Sequence, residues 1–346
     1  MTTESTQMQA LQLTAHGDPS VLQLVTVPAP RPANDQILVR IRHSSINPVE
    51  WKIRKGNLPM IRLNLPAIIG NDFAGEVVEV GKDVEGYGVG DQVCGVVLPG
   101  YESGTYAEYI AVNPTKERVA KRPSKLPSEE AAAAGTSGLT AFSGLFNLGL
   151  LPRSVTPPGS RRVLILGASG GVGVFATQFA KLAGAYVVGV CSGKNEEYVK
   201  EMGADRVIDY TKQAFEKELA AEEQFDVVLD LVGGDDYYYR AKPLLKKTGR
   251  YVTAVGPISH IGAERLGVLS LAKAVTNVGL KMIFDGKYKF ISSLPVKDFG
   301  EMMQFIEEAG DKFKGVVTQT YALAEGARAQ EESEKGVRGK IALAMK

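Results

Sequence analysis

The chain has 346 residues, 44% of them hydrophobic and 23% charged, with 40 Lys+Arg against 39 Asp+Glu. At roughly 100–200 residues per domain this length suits two domains with separate cores. The balanced charge excludes a general nucleic-acid binder, the apolar fraction excludes general disorder, and no apolar run reaches the roughly 18 residues of a membrane helix.

The polar start MTTESTQMQA has neither the apolar stretch of a secretory signal nor the Arg-rich character of a transit peptide. Cys94 and Cys191 are the only cysteines and form no CxxC, which suits a reducing compartment. A soluble cytoplasmic protein is the expectation. The first 115 or so residues read as short strands divided by Gly and Pro. Ile37, Val39 and Ile41 alternate with Arg40 and Arg42, the period of a half-buried strand. Gly75–Gly81, Val93–Val97 and Thr105–Val112 follow as strands too closely spaced for crossover helices, so this region is predicted antiparallel or barrel-like. Ser128–Ala134 reads as a helix with Glu129 and Glu130 at its positive end.

Strands and helices then alternate. Strands are predicted at Val163–Leu166, Tyr186–Val190, Arg206–Ile208, Phe225–Leu231 and Tyr251–Val255. A helix at Gly171–Gly184 separates the first two, with Val172, Phe175, Phe179 and Leu182 spaced by three and four. Near-continuous apolar strands between helices indicate a parallel sheet covered on both faces. A helix near Phe299–Ala309 and strands at Val316–Thr320 and Lys340–Ala344 suggest that the tail rejoins the N-terminal domain.

The segment Val163-Leu-Ile-Leu-Gly-Ala-Ser-Gly-Gly-Val-Gly173 passes from strand through turn to helix, the context a dinucleotide fingerprint requires. Gly170 and Gly171 let backbone N–H groups approach a pyrophosphate, Ser169 and Val172 complete the cradle, and Gly173 permits close helix–strand packing. Ala168 stands where a GxGxxG motif has its first Gly. An NAD site would place an acid at the end of the second strand. Here Cys191-Ser-Gly-Lys194 follows instead, and Ser192 with Lys194 suits a 2′-phosphate. NADPH is the expected cofactor.

The whole chain resembles the zinc-independent medium-chain dehydrogenase/reductases, in their quinone oxidoreductase-like branch. The match is carried by Ile46-Asn-Pro-Val-Glu-Trp-Lys52, Gly70-Asn-Asp-Phe-Ala-Gly75, Glu76-Val-Val-Glu-Val-Gly81, Gly104-Thr-Tyr-Ala-Glu-Tyr109, the Gly167–Gly173 turn, Met202-Gly-Ala-Asp205, Asp209-Tyr210 and Arg338-Gly-Lys-Ile341. The resemblance implies an α/β chain with a GroES-like β-rich catalytic domain (residues 1–130 and 288–346) and a Rossmann doubly wound parallel sheet (residues 131–287). Zinc-dependent relatives carry a Cys and a His near the positions of Asn47 and Asn71. Amides are poor zinc ligands, and the three histidines His16, His43 and His260 form no HxxxH, so no metal is expected.

Carried over by motif, Asn47 would face nicotinamide and substrate, although a cap for the helix after Pro48 is an equal reading. Asp72 would organise the Asn47 loop. Tyr101 and Tyr288 are candidate proton donors, with solvent as the alternative. Thr136 would meet the cofactor near its nicotinamide, Tyr210 would join Ser192 and Lys194, Val232, Val255 and Gly256 would line the crevice, and Lys340 would approach from the tail. The resemblance implies hydride transfer from NADPH to the C=C bond of an enone or enal, or to a quinone, with a small hydrophobic carbonyl or quinone as partner. A trans-acting enoyl reductase on a thioester-bound polyketide chain and a non-catalytic NADPH-binding protein stay open, as does a homodimer.

Overall fold

The structure is a computed structural model and describes residues 7–98, 104–258, 264–265, 267–292 and 294–346. It divides into two compact units. The first runs to Thr136 and takes up Pro295–Asp311 and Gly315–Lys346; the second comprises Ser137–Leu294 with Lys312–Lys314.

The first unit is built on a seven-stranded sheet. Val317–Ala322 pairs in parallel with Lys340–Ala344, which pairs antiparallel with Ile37–Ile46; Asp72–Val80, Gln92–Val96 and Arg118–Lys121 continue the order, and Tyr109–Val112 also pairs with Ile37–Ile46. A smaller sheet joins Leu22–Pro28, Gln7–Leu13 and Ala67–Ile68. The alternation read at Ile37, Val39 and Ile41 puts all three fully inside, among Leu11, Leu13, Phe73, Val77, Val93, Tyr106 and Leu343. The tail strand therefore does complete the N-terminal unit, with Ile341 opposite Ile46.

The second unit holds six parallel strands, β1 (Arg162–Leu166), β2 (Tyr186–Cys191), β3 (Arg206–Asp209), β4 (Phe225–Asp230), β5 (Leu245–Thr253) and β6 (Tyr288–Phe290). Their order is β3-β2-β1-β4-β5-β6, with every pairing parallel. The order reverses between β1 and β4, and such a reversal opens a crevice at the carboxyl ends of the strands.

Several predicted bounds shift, among them the strand expected at Thr105–Val112, which begins at Tyr109, and the one expected at Gly75–Gly81, which begins at Asp72. The boundaries expected near residues 130 and 287 fall at Thr136 and Leu294, the second because β6 completes the parallel sheet and so belongs to the second unit. β5 begins six residues earlier than the predicted Tyr251, since a bulge between Phe225 and Val227 lets β4 pair with Leu245 and again from Arg250.

Candidate functional site

Among the described residues, each unit gathers several of the expected site residues into a hydrogen-bonded cluster. In the second unit β1 ends at Leu166, and the turn leans on β2 through the N–H groups of Gly167 and Ala168, which both donate to the Val190 carbonyl at 3.0 Å. Gly167 has a φ of +86°, a conformation that glycine adopts without steric cost. The helix Gly171–Leu182 follows with Gly170 as its N-cap. A Cβ at Gly173 would lie 2.3 Å from the Gly167 carbonyl oxygen, so glycine is needed there for the helix to sit on the turn. A Cβ at Gly170 would meet no protein atom closer than 3.6 Å. That open space, before a helix whose first N–H groups lack intrahelical partners, has the room and the polarity that an anionic ligand would need. Ser169, Gly170, Gly171 and Val172 are all partly exposed there.

Across the reversal point, Asp230 ends β4 and is fully buried. Its Oδ1 accepts the N–H groups of Val232 and Gly233, both at 3.0 Å, and its Oδ2 accepts the Thr253 hydroxyl at 2.8 Å. Thr253 Oγ1 in turn accepts from Val255 and Gly256. One aspartate and one threonine thus shape both crevice loops expected at Val232 and Val255–Gly256. Neither was singled out from sequence, although an Asp two residues before a turn is an Asx signal.

Beyond β2, Ser192 and the exposed Lys194 lie in and beside a short turn. Asn195 Nδ2 donates to Ser169 Oγ at 3.1 Å and Ser192 Oγ at 3.3 Å, tying the two expected cofactor segments together. Tyr210 is 58% exposed after β3. Asp209 brings an acid beside this turn: a Cβ at Gly193 would lie 2.3 Å from its Oδ2. The Thr211 hydroxyl and N–H hold that carboxyl below its ordinary value.

The first unit gathers a second cluster at the ends of Ile37–Ile46 and Asp72–Val80. Asn47 heads the helix Pro48–Arg54, and Glu50 three residues on accepts its N–H at 2.6 Å, half of a capping box. The Asn47 amide Nδ2 donates to Asp72 Oδ2 at 2.8 Å and to Glu50 Oε1 at 3.3 Å. Asp72 Oδ2 also accepts Ser45 Oγ at 2.6 Å, while Oδ1 accepts the Thr136 hydroxyl at 2.6 Å and N–H at 2.8 Å. Glu50 further accepts the Tyr106 hydroxyl at 2.7 Å and the Asn71 N–H at 3.1 Å. Lys340 Nζ closes the cluster on the Ile46 carbonyl at 2.8 Å and Asn47 Oδ1 at 2.7 Å.

All of these except Thr136 are buried. Burial, then the neighbouring Asp72 charge, pushes Glu50 up to about 7. Burial lowers Lys340 against the opposing pull of Asp72 and Glu50, and it raises Tyr106 well above its ordinary value, with Glu50 adding to the shift.

The structure thus gathers Asn47, Asp72, Thr136 and Lys340 and adds Ser45, Glu50 and Tyr106. Glu50 was legible from its spacing to Asn47; Ser45 and Tyr106 depend on strand pairing. Tyr288 needs correction. It is 1% exposed in the second unit's core, its ring centroid 5.1 Å from Tyr238 and 5.8 Å from Tyr251, and its hydroxyl has no hydrogen-bond partner. A phenol packed among core rings is not placed to deliver a proton. Tyr101 lies outside the described residues.

The family profile described as alcohol dehydrogenase GroES-like domain matches residues 33–124, and the one described as zinc-binding dehydrogenase matches residues 202–343. The chain is 36% identical over 251 residues to the chloroplast envelope quinone oxidoreductase homolog of Arabidopsis thaliana, covering 71% of this chain and 74% of that protein. It is 33% identical over 334 residues to the human mitochondrial NAD(P)H oxidoreductase RTN4IP1, covering 89% and 81%. It is 36% identical over 264 residues to the 2-methylene-furan-3-one reductase of Solanum lycopersicum, covering 74% and 64%. Among solved structures, the quinone oxidoreductase from Coxiella burnetii aligns with a TM-score of 0.79 at 29% identity, over 99% of this chain and 100% of that one.

The second profile's description raises zinc, which takes thiolate, imidazole or carboxylate donors. The first unit's cluster offers the amides of Asn47 and Asn71, the carboxylates of Asp72 and Glu50, whose four oxygens each already accept two donors, and the Lys340 ammonium against Asn47. Among the described residues no group of three or more His, Cys, Asp or Glu is arranged to hold a metal. This donor set does not fit zinc. The second unit's open cradle and paired crevice loops do fit a dinucleotide. With relatives above 30% identity over most of its length, the chain belongs to the quinone oxidoreductase-like branch of the medium-chain dehydrogenase/reductases, a GroES-like domain joined to a Rossmann-type sheet in oxidoreductases that use a nicotinamide cofactor.

Proposed function

We propose that the protein is an NADPH-dependent reductase that transfers hydride to the C=C bond of α,β-unsaturated carbonyls, without zinc. The observation that carries this reading is the first unit's closed hydrogen-bond cluster. Asn47, Ser45 and Thr136 all donate to Asp72, Tyr106 donates to Glu50, and an ammonium stands among them. Such a site offers no Lewis acid to polarise an alcohol, so it suits an acceptor already activated by conjugation. The name of the tomato relative, a reductase of a methylene-furanone, supports an enone. Quinones are the second acceptor class, favoured by the Arabidopsis and Coxiella names.

Ser169, Gly170, Gly171 and Val172 would hold the pyrophosphate at the helix N-terminus. Ser192, Lys194 and Tyr210 would hold the 2′-phosphate, and Val232, Val255 and Gly256 would line the crevice. When bound, the reduced nicotinamide supplies the hydride. Asp72 fixes Thr136 and Asn47 on the catalytic side, and such positioning supplies much of the rate in reactions of this kind. The hydroxyl protons of Ser45, Tyr106 and Thr136 and the amide protons of Asn47 lie on carboxylates, which favours solvent for the closing proton, with Tyr101 as the alternative.

The test follows oxidation of NADPH and, in parallel, NADH with a short enone, a 2-alkenal, an ortho- and a para-quinone and an enoyl thioester. Saturated ketone with a preference for NADPH supports the reading. Quinone-only turnover moves the assignment to quinones, thioester-only turnover to a polyketide enoyl reductase, and bound NADPH with no turnover to a non-catalytic role.

A further inference from the structure

Lys340, expected from the resemblance to approach the cofactor, is 2% exposed, and its ammonium donates to the Ile46 carbonyl and Asn47 Oδ1. A primary amide is nearly symmetric in shape and sits in a pocket either way round, so its neighbours' charges decide which end faces where. Here Oδ1 meets a cation and Nδ2 meets two carboxylates. Turning the amide over would set its oxygen against Asp72 Oδ2 and its NH2 against the ammonium, which is repulsive at both ends. Removing the ammonium would take the charged donor from a buried amide oxygen and the counter-charge from the buried carboxylates Asp72 and Glu50.

We propose that Lys340 is a positioning residue: its ammonium fixes the Asn47 amide with both N–H groups on the carboxylates, and turnover depends on that orientation. Lys340 then donates to Asn47 and Asn47 to Asp72, while Thr136 donates to Asp72 from the other side. Asp72 holds the partly exposed Thr136, so the orientation set at Lys340 reaches the surface of the cluster. The kinetic part of this inference rests on the reductase reading; the orientation of the amide does not.

The experiment compares Lys340→Met, the double variant Lys340→Met/Glu50→Gln and the wild type by steady-state kinetics, thermal melting and side-chain amide spectra of protein labelled with 15N-asparagine. Asn47→Ala assigns the Asn47 signals. In Lys340→Met the Asn47 amide protons should exchange with solvent at least about tenfold faster, and kcat should fall about tenfold or more with the NADPH KM changed by less than about threefold. The double variant, with one buried carboxylate removed, should regain melting temperature while kcat stays low. A folded Lys340→Met with wild-type amide protection, or a double variant that regains kcat along with stability, would overturn the inference and leave Lys340 as charge balance alone. If Lys340→Met does not fold, the double variant carries both readouts. If the wild type reduces no acceptor, the functional reading fails and amide protection alone decides the inference.

Discussion

Gly170 and Gly173 stand three residues apart in one turn, and their substitution should separate cofactor binding from folding. At Gly170 the backbone is extended, with φ −78° and ψ 171°, and a new Cβ would meet nothing closer than 3.6 Å. Gly170→Val should therefore fold, losing about 1 kcal/mol for a poorer N-cap. Its methyl groups would occupy the space where phosphate oxygens meet the helix N–H groups. At Gly173 the new Cβ would lie 2.3 Å from the Gly167 carbonyl oxygen and 2.7 Å from Ala168 backbone atoms. Backbone cannot rotate away, so Gly173→Ala should cost about 1–3 kcal/mol, the usual range for overpacking. Melting curves with and without NADPH read both effects. At a ligand concentration near 100 times Kd, binding stabilises the wild type by about 2.7 kcal/mol; Gly170→Val should lose that gain while keeping most of its basal stability. A Gly170→Val protein still stabilised by NADPH like the wild type would show that the pyrophosphate lies elsewhere.

Three further substitutions test other contacts. Glu50 rises from its ordinary 4.5 to about 7 on folding, so the folded state holds its proton more tightly than the unfolded one. Its contribution therefore favours folding at acid pH and declines by about 3 kcal/mol as pH rises from about 4.5 to about 7. Glu50→Gln should flatten that part of the stability–pH curve, and an unchanged slope would place the titration elsewhere. Asp230→Asn replaces one of the carboxylate oxygens that serve Val232, Gly233 and Thr253 with an NH2 group. It should cost about 1–3 kcal/mol and raise the NADPH KM, whereas wild-type values in both would remove Asp230 from the crevice. Lys194→Ala should raise the KM for NADPH about tenfold and leave that for NADH nearly unchanged; equal effects on both would take Lys194 out of the 2′-phosphate site.

The cofactor half of the fold was legible because its signals are local. The turn from Leu166 to Gly173 carries its strand, its glycines and its helix in one stretch, and the apolar runs around it identify β1 to β5. β6, three residues long, is too short to show a period. The helix Val268–Phe284 leaves Leu269, Val275, Ile283 and Phe284 exposed, so it lacks the clean polar face that marks a surface helix. On the catalytic side, Asn47 and Asp72 stood out by motif. What surrounds them is set by topology: Lys340 reaches Asn47 from 293 residues along the chain because the tail strand pairs with Ile37–Ile46. Tyr288 was misplaced because a phenol reads the same in sequence whether it lines a cleft or packs between two rings.

The most direct test of the reductase assignment follows the hydride itself. An enone is incubated with the protein and NADPH carrying deuterium at the transferable position of its nicotinamide ring, and the product is analysed for both saturation and label. One deuterium on the β-carbon of the saturated ketone is the expected result. Deuterium on the carbonyl carbon of an allylic alcohol, or unreacted enone beside protein with NADPH bound, would contradict it.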